Sequence, residues 1–213
     1  MNKWIFLFFL FVVFNSSAQE RQFTVWNKNE VSAAPSDKLT LKLAQKVHYS
    51  PERNSVDLIY GEFFLGYESK IWLEYGLGFR HSKLNLQNGS WLDENRPMFY
   101  FSLSKEIKNM ELSFSNRLEY RVFKNVEDHL RHKQSLNLYF PNITHWGMQF
   151  YVSEESYLKL NGAGTHLARL STGIKALDKT HFGMKLYYSL QKAKNINSWI
   201  STDIVGLNLN FTI

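Results

Sequence analysis

The chain has 213 residues, enough for one domain of ordinary size, and its formal net charge of +6 is too mild and scattered to mark a nucleic-acid interface. It has no cysteine, which excludes a disulfide framework and a thioether-linked lipid anchor. A mean hydropathy of −0.33 would suit a soluble protein, but strands that are apolar on one face only keep a membrane barrel's average equally low, and 16% aromatic residues suit such a barrel's interfacial girdles.

Residues 1–18 read as a secretory signal peptide. Lys3 supplies the positive start, Trp4 to Phe14 the apolar run, and Ser16-Ser17-Ala18 the small-residue cleavage site, so the mature chain is expected to begin at Gln19. The apolar run is about 11 residues, short of the roughly 20 that a spanning helix needs. Residues 19–36 are expected to form an N-terminal periplasmic or lumen-side segment, because as a wall strand 22–31 would have to start at the far rim.

From residue 37 to 213 the chain alternates with period two, the mark of strands with one apolar and one polar face. In 38–50, Leu39, Leu41, Leu43, Val47 and Tyr49 oppose Lys38, Thr40, Lys42, Lys46 and His48. In 109–123, Met110, Leu112, Phe114, Leu118, Tyr120 and Val122 oppose Glu111, Ser113, Ser115, Arg117, Glu119 and Arg121. Further strands are expected near 56–67, 70–82, 97–106, 130–140, 145–156, 165–176, 180–192 and 199–213. Short connections (67–70, 105–109, 141–144, 177–180) alternate with longer ones (50–55, 83–96, 124–129, 156–164, 192–198). The expected fold is all-β: a closed antiparallel transmembrane β-barrel of about ten strands with both ends in the periplasm, or of twelve if 83–91 adds a hairpin.

A soluble periplasmic barrel shares the alternation with its apolar face turned inward. The alternating loops favour the membrane form, as does a last strand with Val205, Leu207, Leu209, Phe211 and Ile213 on one face. So do aromatics at strand ends, such as Tyr49, Phe140, Trp146, Tyr188 and Trp199.

The final stretch, with Phe211 third from the end and Ile213 last, resembles the C-terminal signal by which outer-membrane proteins of Gram-negative bacteria engage their assembly machinery. Residues 24–213 resemble the domain-of-unknown-function family 2490 of exported barrels. The likeness is carried by Trp26, Asn116-Arg117-Leu118-Glu119-Tyr120-Arg121, the strand from Arg131 to Leu138, and Phe150-Tyr151-Val152-Ser153-Glu154. It implies an outer-membrane location, with membrane lipids and the assembly machinery as partners, and no assigned activity.

If the apolar face meets lipid, the polar face lines a lumen. Its candidate charges are Lys38, Lys42, Lys46, Arg80, Arg117, Arg121, Arg131, Lys133, Arg169, Lys175 and Lys185 against Glu74, Glu111 and Glu119. That basic excess would favour anions in a pore or pocket. About eight strands fill with side chains and about sixteen leave a channel, so ten strands should be nearly closed, by salt bridges such as Glu119 to Arg131. The role expected is structural, or binding or passage of a small solute, with a barrel enzyme acting on lipid or peptide and a soluble periplasmic lipid-binding barrel as the alternatives.

Signals for catalysis, cofactor or metal are weak. His81-Ser82 stands where barrel lipid hydrolases place such a pair, yet strand neighbours point to opposite faces. Glu127-Asp128-His129 with His132 lacks ligand spacing, His48, His145, His166 and His181 are dispersed, and Asn161-Gly162-Ala163-Gly164 has no strand-to-helix context for a phosphate loop. No catalytic residue, cofactor or metal is therefore expected.

Overall fold

The computed structural model describes residues 21–86, 88–124, 126–161, 164–179, 181–194 and 198–213, with backbone alone at 178 and 179. The expected signal peptide, residues 1–18, and the expected start at Gln19 lie outside these residues, as do 162 and 163 of the glycine-rich turn.

Eleven strands follow one another: β1 (Arg21–Ser36), β2 (Leu39–Ser50), β3 (Ser55–Lys70), β4 (Leu73–Asn85), β5 (Trp91–Ile107), β6 (Met110–Phe123), β7 (His129–Tyr139), β8 (Gln149–Lys159), β9 (Gly164–Lys179), β10 (Phe182–Lys194) and β11 (Trp199–Thr212). There is no helix among the described residues. Sequential strands pair antiparallel, and β1 closes the barrel by pairing with β11 in parallel, Arg21 opposite Ser201 and Ser32 opposite Thr212. Closure leaves no strand with a free edge.

The strand count is thus eleven, not about ten, and 83–91 adds no hairpin: β4 continues to Asn85 and β5 begins at Trp91. The added strand is 21–36, which is part of the wall rather than a segment beneath it or inside it. It has the required alternation, with Phe23, Val25 and Val31 on one face and Thr24 and Trp26 buried on the other. A parallel pair still hydrogen-bonds along its whole length, so a strand running beside β11 keeps its backbone groups paired. The two ends of the sheet consequently sit on opposite rims. Arg21 shares a rim with the strand ends Ser50, Ser55, Asn85, Trp91, Phe123, His129, Lys159, Gly164, Lys194 and Trp199, and Ile213 shares the other with Ser36, Leu39, Lys70, Leu73, Ile107, Met110, Tyr139, Gln149, Lys179 and Phe182. The connection expected to be short at 141–144 is the longest, extending β7 and β8 through Phe140 N–H to Phe150 O (2.9 Å) and Ile143 N–H to Met148 O (2.8 Å).

The two faces of the wall differ in polarity. Leu43 and Leu77 are each 61% exposed on the outside, with Phe63, Phe79, Phe99, Phe150, Leu170 and Val205 around them. Buried on the inside are Glu62, Arg80, Glu94, Arg96, Glu119 and Arg131, with serines between. Interior aromatic rings occupy the space beside wall glycines: an added Cβ at Gly206 would run into the Tyr187 ring, and one at Gly78 into the Phe64 ring.

The β5–β6 hairpin turns on two residues, Lys108 (φ 50°) and Asn109 (φ 64°), both left-handed as in a type I′ turn. Asn suits this region and Lys does not. Lys108→Asn is therefore expected to raise the stability of the folded barrel by about 0.5 kcal/mol, read as a higher midpoint of urea unfolding.

Candidate functional site

The interior has two halves of different character. Toward the Arg21 rim, neighbouring strands place acid and base on the same inward face, and the groups close on one another. Glu94 accepts from Arg96 Nε (2.7 Å) and from Arg121 Nε (2.6 Å) and its terminal nitrogen (2.8 Å). Glu119 accepts from Arg117 Nε (2.6 Å) and Arg131 Nε (2.7 Å), with Arg96 at 3.4 Å. Cross-strand register explains the grouping, since Glu119 is opposite Arg131 and also Met98, two residues from Arg96.

Glu94 and Glu119 are both 0% exposed. A water-filled passage through this layer would wet them, so the layer is closed in this conformation. A second layer extends it. Arg80 donates to Glu62 (Nε, 2.6 Å) and lies over Tyr60, while Lys133 and Arg169 (2.5 Å for Arg169) share Glu155. Trp26 stacks on His48 at 3.8 Å with an interplanar angle of 5°, and Lys46 and Arg169 lie over its ring at 3.9 and 4.5 Å. These cation–π contacts seat the two basic groups against the indole.

Toward the Ile213 rim the inward positions are mostly small: Gly66, Gly76, Ser102, Ser113, Ser115, Ser135 and Ser153. Here a cavity of about 240 Å³ opens, bounded by Lys28, Lys42, Arg117, Lys133, Glu30, Glu62, Phe64, Tyr100 and Ser115. Lys28 is paired with Glu30 (2.6 Å). Tyr100 donates its hydroxyl to Glu74 (2.9 Å), and further down Lys185 donates to the Tyr139 hydroxyl (2.9 Å). Lys42 forms no hydrogen bond or ion pair with any described residue, so its ammonium stands uncompensated on the cavity wall. Chemically the cavity can take a small anion between Lys42, Arg117 and Lys133.

Of the residues singled out from the sequence, Arg80, Arg117, Glu119, Arg121 and Arg131 meet in or beside the closed layer, Lys133 and Arg169 meet on Glu155, Lys46 lies on Trp26, and Lys42, Glu74 and Lys185 are in the open half. Glu111 is exposed near the Ile213 rim and takes no part. Sequence reading missed Lys28, Glu30, Glu62, Glu94, Arg96 and Glu155. Lys28 and Glu30 are on the strand that was left out of the wall, and Glu94 and Arg96 fell in a stretch read as loop. Glu62 and Glu155 obey the alternation and were legible from it.

His81 and Ser82 point to opposite faces. His81 is outside against Asn95 (3.0 Å), and Ser82 is buried inside with its hydroxyl unpartnered. Asp128 holds its own loop, accepting from Phe123 N–H (2.9 Å) and the Tyr120 hydroxyl (3.3 Å), while His132 turns outward to Asn116 (2.9 Å). Among the described residues no three His, Asp or Glu side chains converge as a metal site would need.

Removing one member of a buried ion network leaves its partners' charges uncompensated, at a cost of about 3–5 kcal/mol. Glu119→Ala, which strands the guanidinium groups of Arg117 and Arg131 while Arg96 keeps Glu94, should lower the unfolding midpoint steeply, whereas Glu74→Gln, bonded to one tyrosine hydroxyl, should cost under about 1 kcal/mol on the same urea titration.

A family model described as "Protein of unknown function (DUF2490)" matches residues 23–202. No curated protein matches the chain. Because the matched segment takes in all of the interior just described and most of the sequence, the chain belongs to the DUF2490 family.

Proposed function

We infer that this chain is an outer-membrane β-barrel, exported through a cleaved signal peptide, that binds a small anion in the half of its lumen next to the Ile213 rim. The observation that carries this reading is the inverted polarity of the wall: leucine and phenylalanine outside, arginine and glutamate inside. In water that arrangement loses hydrophobic stabilisation over the whole outer surface, whereas in a bilayer it is the arrangement that satisfies both faces. Strands of 11 to 17 residues reach or exceed the 9–11 or so that cross the hydrocarbon. Trp91 and Trp199 at one rim and Trp72, Phe140 and Trp146 at the other are exposed where headgroups would lie. A soluble lipid carrier needs the reverse, an apolar lumen for acyl chains. For a barrel enzyme the candidate pair His81 and Ser82 is split across the wall.

The C-terminal strand β11, with Phe211 in it and Ile213 just after it, is the segment proposed to engage the assembly machinery, and on that reading the Ile213 rim faces the periplasm. Residue 21 then emerges at the outer surface, not in the periplasm. Release from washed membranes should require detergent, and of two epitope tags, one before Arg21 and one after Ile213, antibody should reach only the first on intact cells. Release by salt or carbonate alone would overturn the location.

The basic groups of the lumen outnumber its carboxylates by about two to one, and at the cavity the cation without a carboxylate partner among the described residues is Lys42. The cavity is small beside the roughly 300–1,000 Å³ of drug-sized sites, which suits an inorganic or short organic anion. Calorimetry on the detergent-folded protein with inorganic phosphate and with succinate is expected to detect binding of at least one, weakened about ten-fold by Lys42→Ala. Absence of heat with both, or affinity unchanged by Lys42→Ala, would overturn the site.

A further inference from the structure

We propose that two copies of this chain associate in the membrane through the outer face of β6, β7 and β8. The inference rests on the outer wall facing lipid, and it comes from a stripe of that wall that is not apolar. Asn116 on β6, His132 and Gln134 on β7, and Glu154 and Ser156 on β8 all point outward, because their chain neighbours Arg117, Arg131, Lys133 and Glu155 point in. Register brings them together: Asn116 is opposite Gln134, Gln134 is opposite Ser156, and Glu154 is one diagonal step from Gln134. The stripe lies at mid-height, since Gln134 is the sixth of eleven residues in β7 and Glu154 the sixth of eleven in β8.

Asn116 Oδ1 meets His132 Nε2 at 2.9 Å, while the Asn116 amide nitrogen has no partner among the described residues. Gln134, Glu154 and Ser156 form no hydrogen bond or ion pair with any described residue. Glu154 is opposite Leu136 on one side and Leu170 on the other, so a carboxylate stands between two leucines on the lipid side of the barrel. Acyl chains at this depth offer no hydrogen-bond donor or acceptor, and headgroups lie at the rims. Polar groups at such a position are expensive unless a protein partner meets them.

The chemistry of the stripe fits a second copy of itself. It carries an acceptor, the Glu154 carboxylate, and on the adjacent strand a donor, the Gln134 carboxamide. About a two-fold axis normal to the membrane, Gln134 of each copy can donate to Glu154 of the other, so that one complementary pair is made twice and the contact closes on itself. Leu118, Leu136, Val152 and Leu170, all exposed around the stripe, supply the apolar surround. A smaller outward polar group, Asn27, Asn29 and Gln45, is on the far side of the barrel, and there Asn29 already donates to Asn27 (2.9 Å).

The chain has no cysteine, so one introduced thiol reports one contact. In lipid vesicles under mild oxidation, Ser156→Cys is expected to yield a disulfide-linked dimer, and Leu77→Cys, an outward residue of β4, is not. Glu154→Leu, shown to be folded by its heat-modifiable gel mobility, should weaken the dimer roughly ten-fold in dilution-dependent energy transfer. A monomer at every protein-to-lipid ratio, equal cross-linking from both thiols, or cross-linking of Ser156→Cys only with Gln45→Cys would overturn the proposal. Because all these readings are made on membrane-inserted protein, they leave the location itself to the extraction experiment.

Discussion

Closure of the sheet by β1 running parallel to β11 is the contact on which the rest of the molecule depends. An open sheet of ten strands would leave the outer sides of β2 and β11 unpaired, and in a low-dielectric surrounding each unpaired peptide group costs several kcal/mol. Filling that gap with 21–36 makes the strand number odd, puts the two ends of the sheet on opposite rims, and turns Trp26 inward beside Gly206. Trp26 in turn gives Lys46, which has no carboxylate partner among the described residues, a ring to lie on, and gives Arg169, already paired with Glu155, a second contact.

The interior then answers a problem of charge. A narrow lumen walled by arginine and lysine repels itself unless acids are interleaved, and Glu94, Glu119 and Glu155 are each shared by two or more basic side chains. Sharing fills the Arg21 half with guanidinium groups packed around Glu94 and Glu119, which have no exposed surface. The Ile213 half, where serine and glycine replace these side chains, stays hollow and keeps uncompensated charge at Lys42. One barrel thereby combines a closed layer with a cavity beside it.

Much of this was legible along the chain because β-strands have period two, and period two needs no partner to be recognised. The run from Met110 to Val122 shows its two faces in the bare sequence, and so do the pairing partners Glu119 and Arg131. Two things obscured the remainder. A conserved notion of barrel parity set 21–36 outside the wall, although its own alternation was as good as that of its neighbours. The stretch 91–96 looked like loop because Asp93, Glu94, Asn95 and Arg96 are all polar, and only burial separates the inward Glu94 and Arg96 from the outward Asp93 and Asn95.

By itself, the amino-acid order determined that this protein is an alternating all-β chain with a basic polar face, and that it resembles the DUF2490 family to which it belongs. Those properties are local: each is set by which residue types recur at i and i+2. The number of strands, the direction of the closing pair, which acid serves which arginine, and where the lumen is filled or hollow were decided only by the tertiary structure. They depend on register between segments as distant as Trp26 and Gly206, and on the space left when side chains from eleven strands meet around one axis.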